Sequence, residues 1–201
     1  MTDSRVDVKG DPATEASLTP AAAAEFEAMG LGEGQSGAGK RIEGIDPVPN
    51  RPTIPRREVH APDVLNEAYD YPLPSSFSRG LRVELPGASM LFLSGTASVD
   101  EKGDTVHPGD FRAQCLRTYR NLTRLLAAEG ASWHDIVRTT CYLRDIERDY
   151  DTFNETRTMF LSAIGVDELP ASTGIQARLC RSDLLVEIEA IAVVPDRPAS
   201  D

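Results

Sequence analysis

Glu187 and Glu189 stand two residues apart in Val186-Glu187-Ile188-Glu189-Ala190-Ile191-Ala192-Val193, a stretch whose other side chains are all aliphatic. Alternate residues of a strand share a face, so the two carboxylates lie on one side, with Ile191 and Val193 further along it. A carboxylate beside a core and beside a second carboxylate carries a raised pKa, which suits it to general acid–base work. Arg178, Cys180 and Arg181 come just before this stretch. A turn at Cys180-Arg181-Ser182-Asp183 brings cations near Glu187, where they can hold a substrate carboxylate or form a structural ion pair with the glutamate. Cys180 has no histidine near it in sequence and reads as a small, partly buried side chain rather than a nucleophile.

Other chemistries find less support. Cys115, Cys141 and Cys180 are scattered without a CxxC pair, and His60, His107 and His134 have no second ligand at i+3 or i+4, which argues against a disulfide framework and against a metal site. Gly34-Gln35-Ser36-Gly37-Ala38-Gly39-Lys40 has the GxxxxGK spacing of a phosphate loop. No apolar strand precedes it, Arg41 stands where a Ser or Thr holds magnesium, and Ile42-Glu43-Gly44-Ile45-Asp46-Pro47 cannot start the required helix. It reads as a flexible linker.

Lys and Arg number 21 against 32 Asp and Glu, and the net charge of −11 repels nucleic-acid backbones and anionic membrane surfaces. The first fifteen residues lack an apolar signal segment, and no run approaches the ~20 apolar residues needed to cross a bilayer. The expectation is a cytoplasmic protein with a small-molecule partner. Adding 15 glycines to the 40% apolar residues gives about 47%, an ordinary globular share, and 201 residues suit one domain with tails.

The elements that must position these groups follow from hydrophobic period and punctuation. Residues 1–60 hold few large apolar side chains and read as a mostly flexible arm with one short helix, Thr19 capping Pro20-Ala21-Ala22-Ala23-Ala24-Glu25-Phe26 and Gly30 past its end. Residues 61–76 form an extended lead-in, 77–195 the compact domain and 196–201 a flexible tail. Strands are predicted at 81–85 and 90–93, a hairpin about Pro86-Gly87. Residues 110–129 place Cys115, Leu116, Tyr119, Leu122, Leu125 and Leu126 on one stripe of a helix. Residues 136–143 read as a strand, and 147–164 as a second helix whose pattern repeats through Tyr150, Phe153, Arg157, Phe160, Leu161 and Ile164. The last two strands, 172–179 and 184–194, flank the turn at 180–183. The order β-β-α-β-α-β-β predicts an α+β sandwich, two helices on one face of a mixed sheet, and the uncovered face predicts a symmetric oligomer.

Leu93-Ser94-Gly95-Thr96, a helix carrying Gln114 and Asn121, Asp135-Ile136-Val137-Arg138-Thr139-Thr140, Asn154, Pro170-Ala171-Ser172 and the 186–193 stretch resemble, in this order, the Rid (YjgF) family. The resemblance covers about residues 75–194. It implies a chorismate-mutase-like fold assembled as a homotrimer with a cleft at each subunit interface. It also implies hydrolysis of reactive enamines or imines to 2-oxo acids and ammonia, without a cofactor. By position, Phe77 matches the aromatic of the cleft wall, Ser94 and Gly95 the polar loop, with Thr96 beside them, and Glu187 the glutamate that positions water. Asn154 is a further substrate-binding candidate from the same motifs. Counting back from Glu187, Ser172 occupies the position of the family's carboxylate-binding arginine. Arg178 shares its strand parity but lies six residues on, about 20 Å along an extended strand, which leaves Arg79 or Arg178 to anchor an anion.

Ser94-Gly95-Thr96-Ala97-Ser98 with Val106-His107-Pro108-Gly109-Asp110, and Cys180 through Glu189, are similar to the C-terminal half of chorismatases. There a cysteine and a glutamate border the site that removes an enolpyruvyl group, and here these are Cys180 and Glu187. Three readings are open: an imine or enamine hydrolase, a chorismatase-like enol-ether hydrolase or lyase, and a ligand-binding trimer without chemistry. Some Rid relatives are labelled ribonucleases, but sparse basic residues argue against an RNA groove here.

Overall fold

The computed structural model of the chain describes residues 19–28, 53–71 and 75–196 and divides into a unit of residues 1–52 and a unit of residues 53–201. In the first unit α1 spans Pro20–Ala28, and Thr19 Oγ1 accepts a hydrogen bond from the Ala22 N–H at 3.2 Å. This is the cap that the Thr-Pro pair predicts. The Gly34–Lys40 stretch, the rest of the arm up to residue 52 and the tail from residue 197 lie outside the described residues.

The second unit is a six-stranded sheet with helices α2 (Phe111–Ala128) and α3 (Ile146–Ala163). Its strands are β1 (Arg56–Glu58), β2 (Gly80–Leu85), β3 (Ala88–Ala97), β4 (Ile136–Leu143), β5 (Ala171–Gln176) and β6 (Val186–Pro195), ordered β1-β2-β3-β6-β4-β5. All neighbours are antiparallel except β4 and β5, which are parallel and joined through α3. The mixed α+β sheet that the sequence predicts is therefore present, with element bounds within two or three residues for most segments. Asp110 and Asp145 cap the helices by accepting from the N–H groups of Ala113 and Arg148 at 2.9 and 3.0 Å. α2 buries Cys115, Tyr119, Leu122, Leu125 and Leu126, whereas Leu116 is 39% exposed and drops from the predicted stripe. Each of these fully buried leucines stabilises by about 1.5–3 kcal/mol relative to an exposed one. Tyr119, Trp133 and Phe160 lock α2 to α3 as an aromatic trio with centroids 4.7–5.6 Å apart.

Two expectations about the sheet are corrected. Arg56–Glu58 adds a strand, and Val59 is buried, within the stretch read as the end of the arm. Three charged residues gave no apolar period to betray this short edge strand. The predicted last hairpin is also absent, because β5 and β6 do not pair: β4 lies between them. Both faces of β6 carry apolar residues, as a central strand requires, while every residue of β5 is exposed at the edge. The chain from 177 to 185 instead crosses the end of β4, where the Arg144 guanidinium donates to the Leu184 and Arg181 carbonyls. Gln114, buried on α2, fixes the same crossing. Its Nε2 donates to the His107 and Asp183 carbonyls at 3.1 and 2.8 Å, and its Oε1 accepts from the Leu185 N–H at 2.8 Å.

The face opposite the helices is apolar at one end. The register places Leu81, Val83, Met90, Phe92, Ile191 and Val193 side by side there, with Glu189 and Glu187 beyond them. Among the described residues no helix is long and apolar enough to cross a membrane.

Candidate functional site

Glu187 sits opposite Ala97 of β3 and Tyr142 of β4. The β3–β6 register breaks between Leu93 and Thr96, so Ser94 and Gly95 form an irregularity that carries β3 against the glutamate. A Cβ on Gly95 would lie 2.1 Å from Glu187 Oε1, and the carboxylate therefore rests on a surface only glycine provides. Among the described residues no cation lies within ion-pair distance of Glu187. Burial pushes its carboxyl above the usual range, and the neighbouring Glu189 pushes it further. Burial and then Glu189 likewise raise the Tyr142 hydroxyl, which stays a neutral donor beside the two carboxylates.

Glu187 opens on a cavity of about 280 Å³ that Phe77, Arg79, Gly95, Thr96 and Cys180 also line. Ser94 lies behind it, its hydroxyl donating at 2.7 Å to the Ser78 carbonyl and so holding the segment that carries Phe77 and Arg79. Arg79 is only 4% exposed. Its Nε donates to the Asn66 carbonyl at 2.8 Å, another nitrogen donates to the Tyr71 hydroxyl, and its guanidinium lies 5.2 and 5.7 Å from the ring centres of Tyr71 and Phe77. No carboxylate pairs with it among the described residues, so a buried positive charge faces this cavity held only by neutral groups. Arg181 borders the cavity too and donates to the Gly103 carbonyl. Cys180 is exposed, contrary to the partly buried position expected for it.

Three sequence candidates stand apart. Arg178 is exposed beyond the end of β5 and does not line the cavity, because β5 is separated from β6 by a whole strand. Ser172 and Asn154 gather instead around Arg157 of α3, which donates to Ser172 Oγ at 3.1 Å and to Asn154 Oδ1 at 2.7 Å. Arg157 was legible only as a member of the second helix's apolar stripe. Its i, i+3 spacing from Asn154 is the signal that puts both on one helix face. Tyr71 and Tyr142 left no such signal, since only the lead-in's path and the β4–β6 pairing bring them to the site.

The family model described as Endoribonuclease L-PSP matches residues 75–194. The 2-iminobutanoate/2-iminopropanoate deaminase of Escherichia coli is 32% identical over 105 residues, 52% of this chain and 80% of that protein. The 3-aminoacrylate deaminase RutC of Acinetobacter baylyi is 30% identical over 106 residues, 53% of this chain and 80% of its own length. The crystal structure of E. coli TdcF with bound serine superposes with a TM-score of 0.56 at 26% identity, covering 68% of this chain and 98% of that one. The match spans the strands and helices that build the Glu187 cavity, and on it the chain belongs to the Endoribonuclease L-PSP family, the family also called YjgF or Rid.

Proposed function

We propose that the protein hydrolyses a small carboxylated imine or enamine to a 2-oxo acid and ammonia, with Glu187 as the acid–base group. The observation that carries this is a single cavity holding a carboxylate with a raised pKa and a buried arginine without a carboxylate partner. Arg79 attracts the substrate carboxylate, and Phe77 forms the apolar wall. Glu187 takes a proton from water as the oxygen bonds to the imine carbon, and passes that proton to the nitrogen, which receives the carbon–nitrogen π pair. The carbinolamine then collapses: Glu187 takes the hydroxyl proton as the carbonyl forms, and gives it to the nitrogen as the carbon–nitrogen bond breaks and ammonia leaves. The relatives named as deaminases and the serine-bound relative support a substrate of this size and charge. The apolar end of the open sheet face, with Phe92 38% and Val193 39% exposed, supports assembly as a trimer through that face.

The test is ammonia release from freshly generated 2-iminopropanoate and from branched and aromatic imino acids, in parallel with Glu187→Gln. Release that disappears in the variant supports the assignment, and release unaffected by it sinks the role of Glu187. A chorismatase-like reaction has one specific observation in its favour, since Cys180 and Glu187 border the same cavity. Pyruvate release from chorismate, with no ammonia from any imine, would favour it. Binding of serine or a 2-oxo acid with neither product would favour the ligand-binding reading.

A further inference from the structure

A second cavity, of about 370 Å³, lies between α3 and the sheet. It shares no lining residue with the first: Ile188 lines this one and Glu187 the other, and successive residues of a strand face opposite ways. Its volume falls within the range of small-molecule sites. Tyr119, Trp133, Cys141 and Ile188 are buried along it, while Ser162 and Leu169 are exposed, so it has both an apolar floor and an open rim.

Two polar features of this cavity lack partners of their own kind. The Arg157 guanidinium lies 5.1 Å from the Phe153 ring centre and is held by the neutral oxygens of Ser172 and Asn154. Among the described residues no carboxylate pairs with it, including Asp167 on the same lining. The Tyr119 hydroxyl is the second. The residue is 2% exposed, it lines the cavity, and its oxygen has no hydrogen-bond partner among the described residues. Its oxygen has almost no accessible surface, so the tyrosine meets the cavity with its ring and Arg157 is the polar anchor on this lining.

We propose that this cavity binds a small amphipathic monocarboxylate, an aryl or branched-alkyl acid, independently of the Glu187 cavity. Arg157 holds the carboxylate, and the apolar end packs on Trp133, Leu161 and Val166. Asp167 on the same lining disfavours a second negative charge.

The chain's one tryptophan, Trp133, lines this cavity and reports its occupancy by fluorescence. The full-length protein is titrated with 3-phenylpropanoate and with the neutral 3-phenylpropanamide. The expected result is a saturable change with the acid at least tenfold tighter than with the amide. Arg157→Met should make the two ligands equal, Arg157→Lys should keep part of the difference, and Glu187→Gln should leave acid binding within twofold. No saturable change, or equal affinity for acid and amide in the unaltered protein, overturns the proposal without reliance on any variant. Acid binding lost in Glu187→Gln but retained in Arg157→Met would move the ligand to the first cavity and overturn it as well. None of these readouts depends on imine turnover.

Discussion

Glu187 Oε1 occupies the space that a side chain at Gly95 would need, 2.1 Å from the nearest Cβ position. The contact is with the far end of a flexible glutamate, so alanine at 95 costs the fold little and moves the carboxylate. Gly95→Ala is expected to lower kcat/KM for imine hydrolysis at least tenfold while shifting Tm by no more than about 4 °C, the equivalent of about 1 kcal/mol for a domain of this size. Adding Gly95→Ala to Glu187→Gln should cause no further loss of activity. Losses that multiply in the double variant would show that Gly95 acts on something other than Glu187.

The raised Glu187 pKa fixes the sign of a pH effect on stability. The folded protein binds this proton more tightly than the unfolded chain, so the group's contribution is complete below about pH 4.5 and is lost as pH rises through the folded pKa. Glutamine mimics the protonated form. Glu187→Gln should therefore melt at a higher temperature than the unaltered protein at pH 8, and the gap should close by about pH 4. In the active protein the acid limb of kcat/KM should lie above the ordinary carboxylate range, because the carboxylate must be free to take the water's proton. A melting difference that stays constant from pH 4 to 8 would contradict the shift.

How much of this was legible depended on whether neighbours in sequence were neighbours in space. The stripes on residues 110–129 and 147–164 and the alternation about Glu187 are local, and they read true except at Leu116, Tyr150 and Ile164, which are exposed. Ser94, Gly95, Phe77 and Glu187 were placed by resemblance, and the structure gathers three of them at one cavity with Ser94 directly behind. The failures were non-local. Sequential strands usually pair, which made a hairpin of 172–194. The interposed β4 sends Arg178 and Ser172 away from Glu187 and leaves Arg79, a hundred residues upstream, as its cationic companion. Nothing in the sequence near residue 79 reveals the stacking on Tyr71 and Phe77 that holds it there.

Arg79 serves as the anion anchor if its loss is felt in binding. Arg79→Met should raise KM for a carboxylated imine at least tenfold and change kcat much less, with Arg79→Lys recovering part of the loss. An imine without a carboxylate should be hydrolysed equally by all three proteins. A fall in kcat alone, indifferent to the substrate's charge, would make Arg79 a structural strut for Tyr71 and Phe77 and return the anchor to Arg181.

Gln114 joins α2 to both loops that frame the Glu187 cavity, and its three hydrogen bonds go to backbone groups of His107, Asp183 and Leu185. The side chain is fully buried, so no water replaces it when it is removed. Leucine at this position fills a similar volume but leaves the Asp183 carbonyl and the Leu185 N–H unpaired, while the His107 carbonyl keeps the Asp110 N–H at 3.2 Å, and each unsatisfied buried group costs about 1–3 kcal/mol before relaxation. Relaxation of the 180–185 crossing recovers part of that. Gln114→Leu is expected to lower the unfolding free energy by about 2–4 kcal/mol in urea titration. Because the crossing carries Cys180 and Arg181, hydrogen exchange at Leu185 should speed up before that of the α2 core amides. A variant as stable as the parent, with Leu185 still protected, would show that the Arg144 contacts alone hold the crossing.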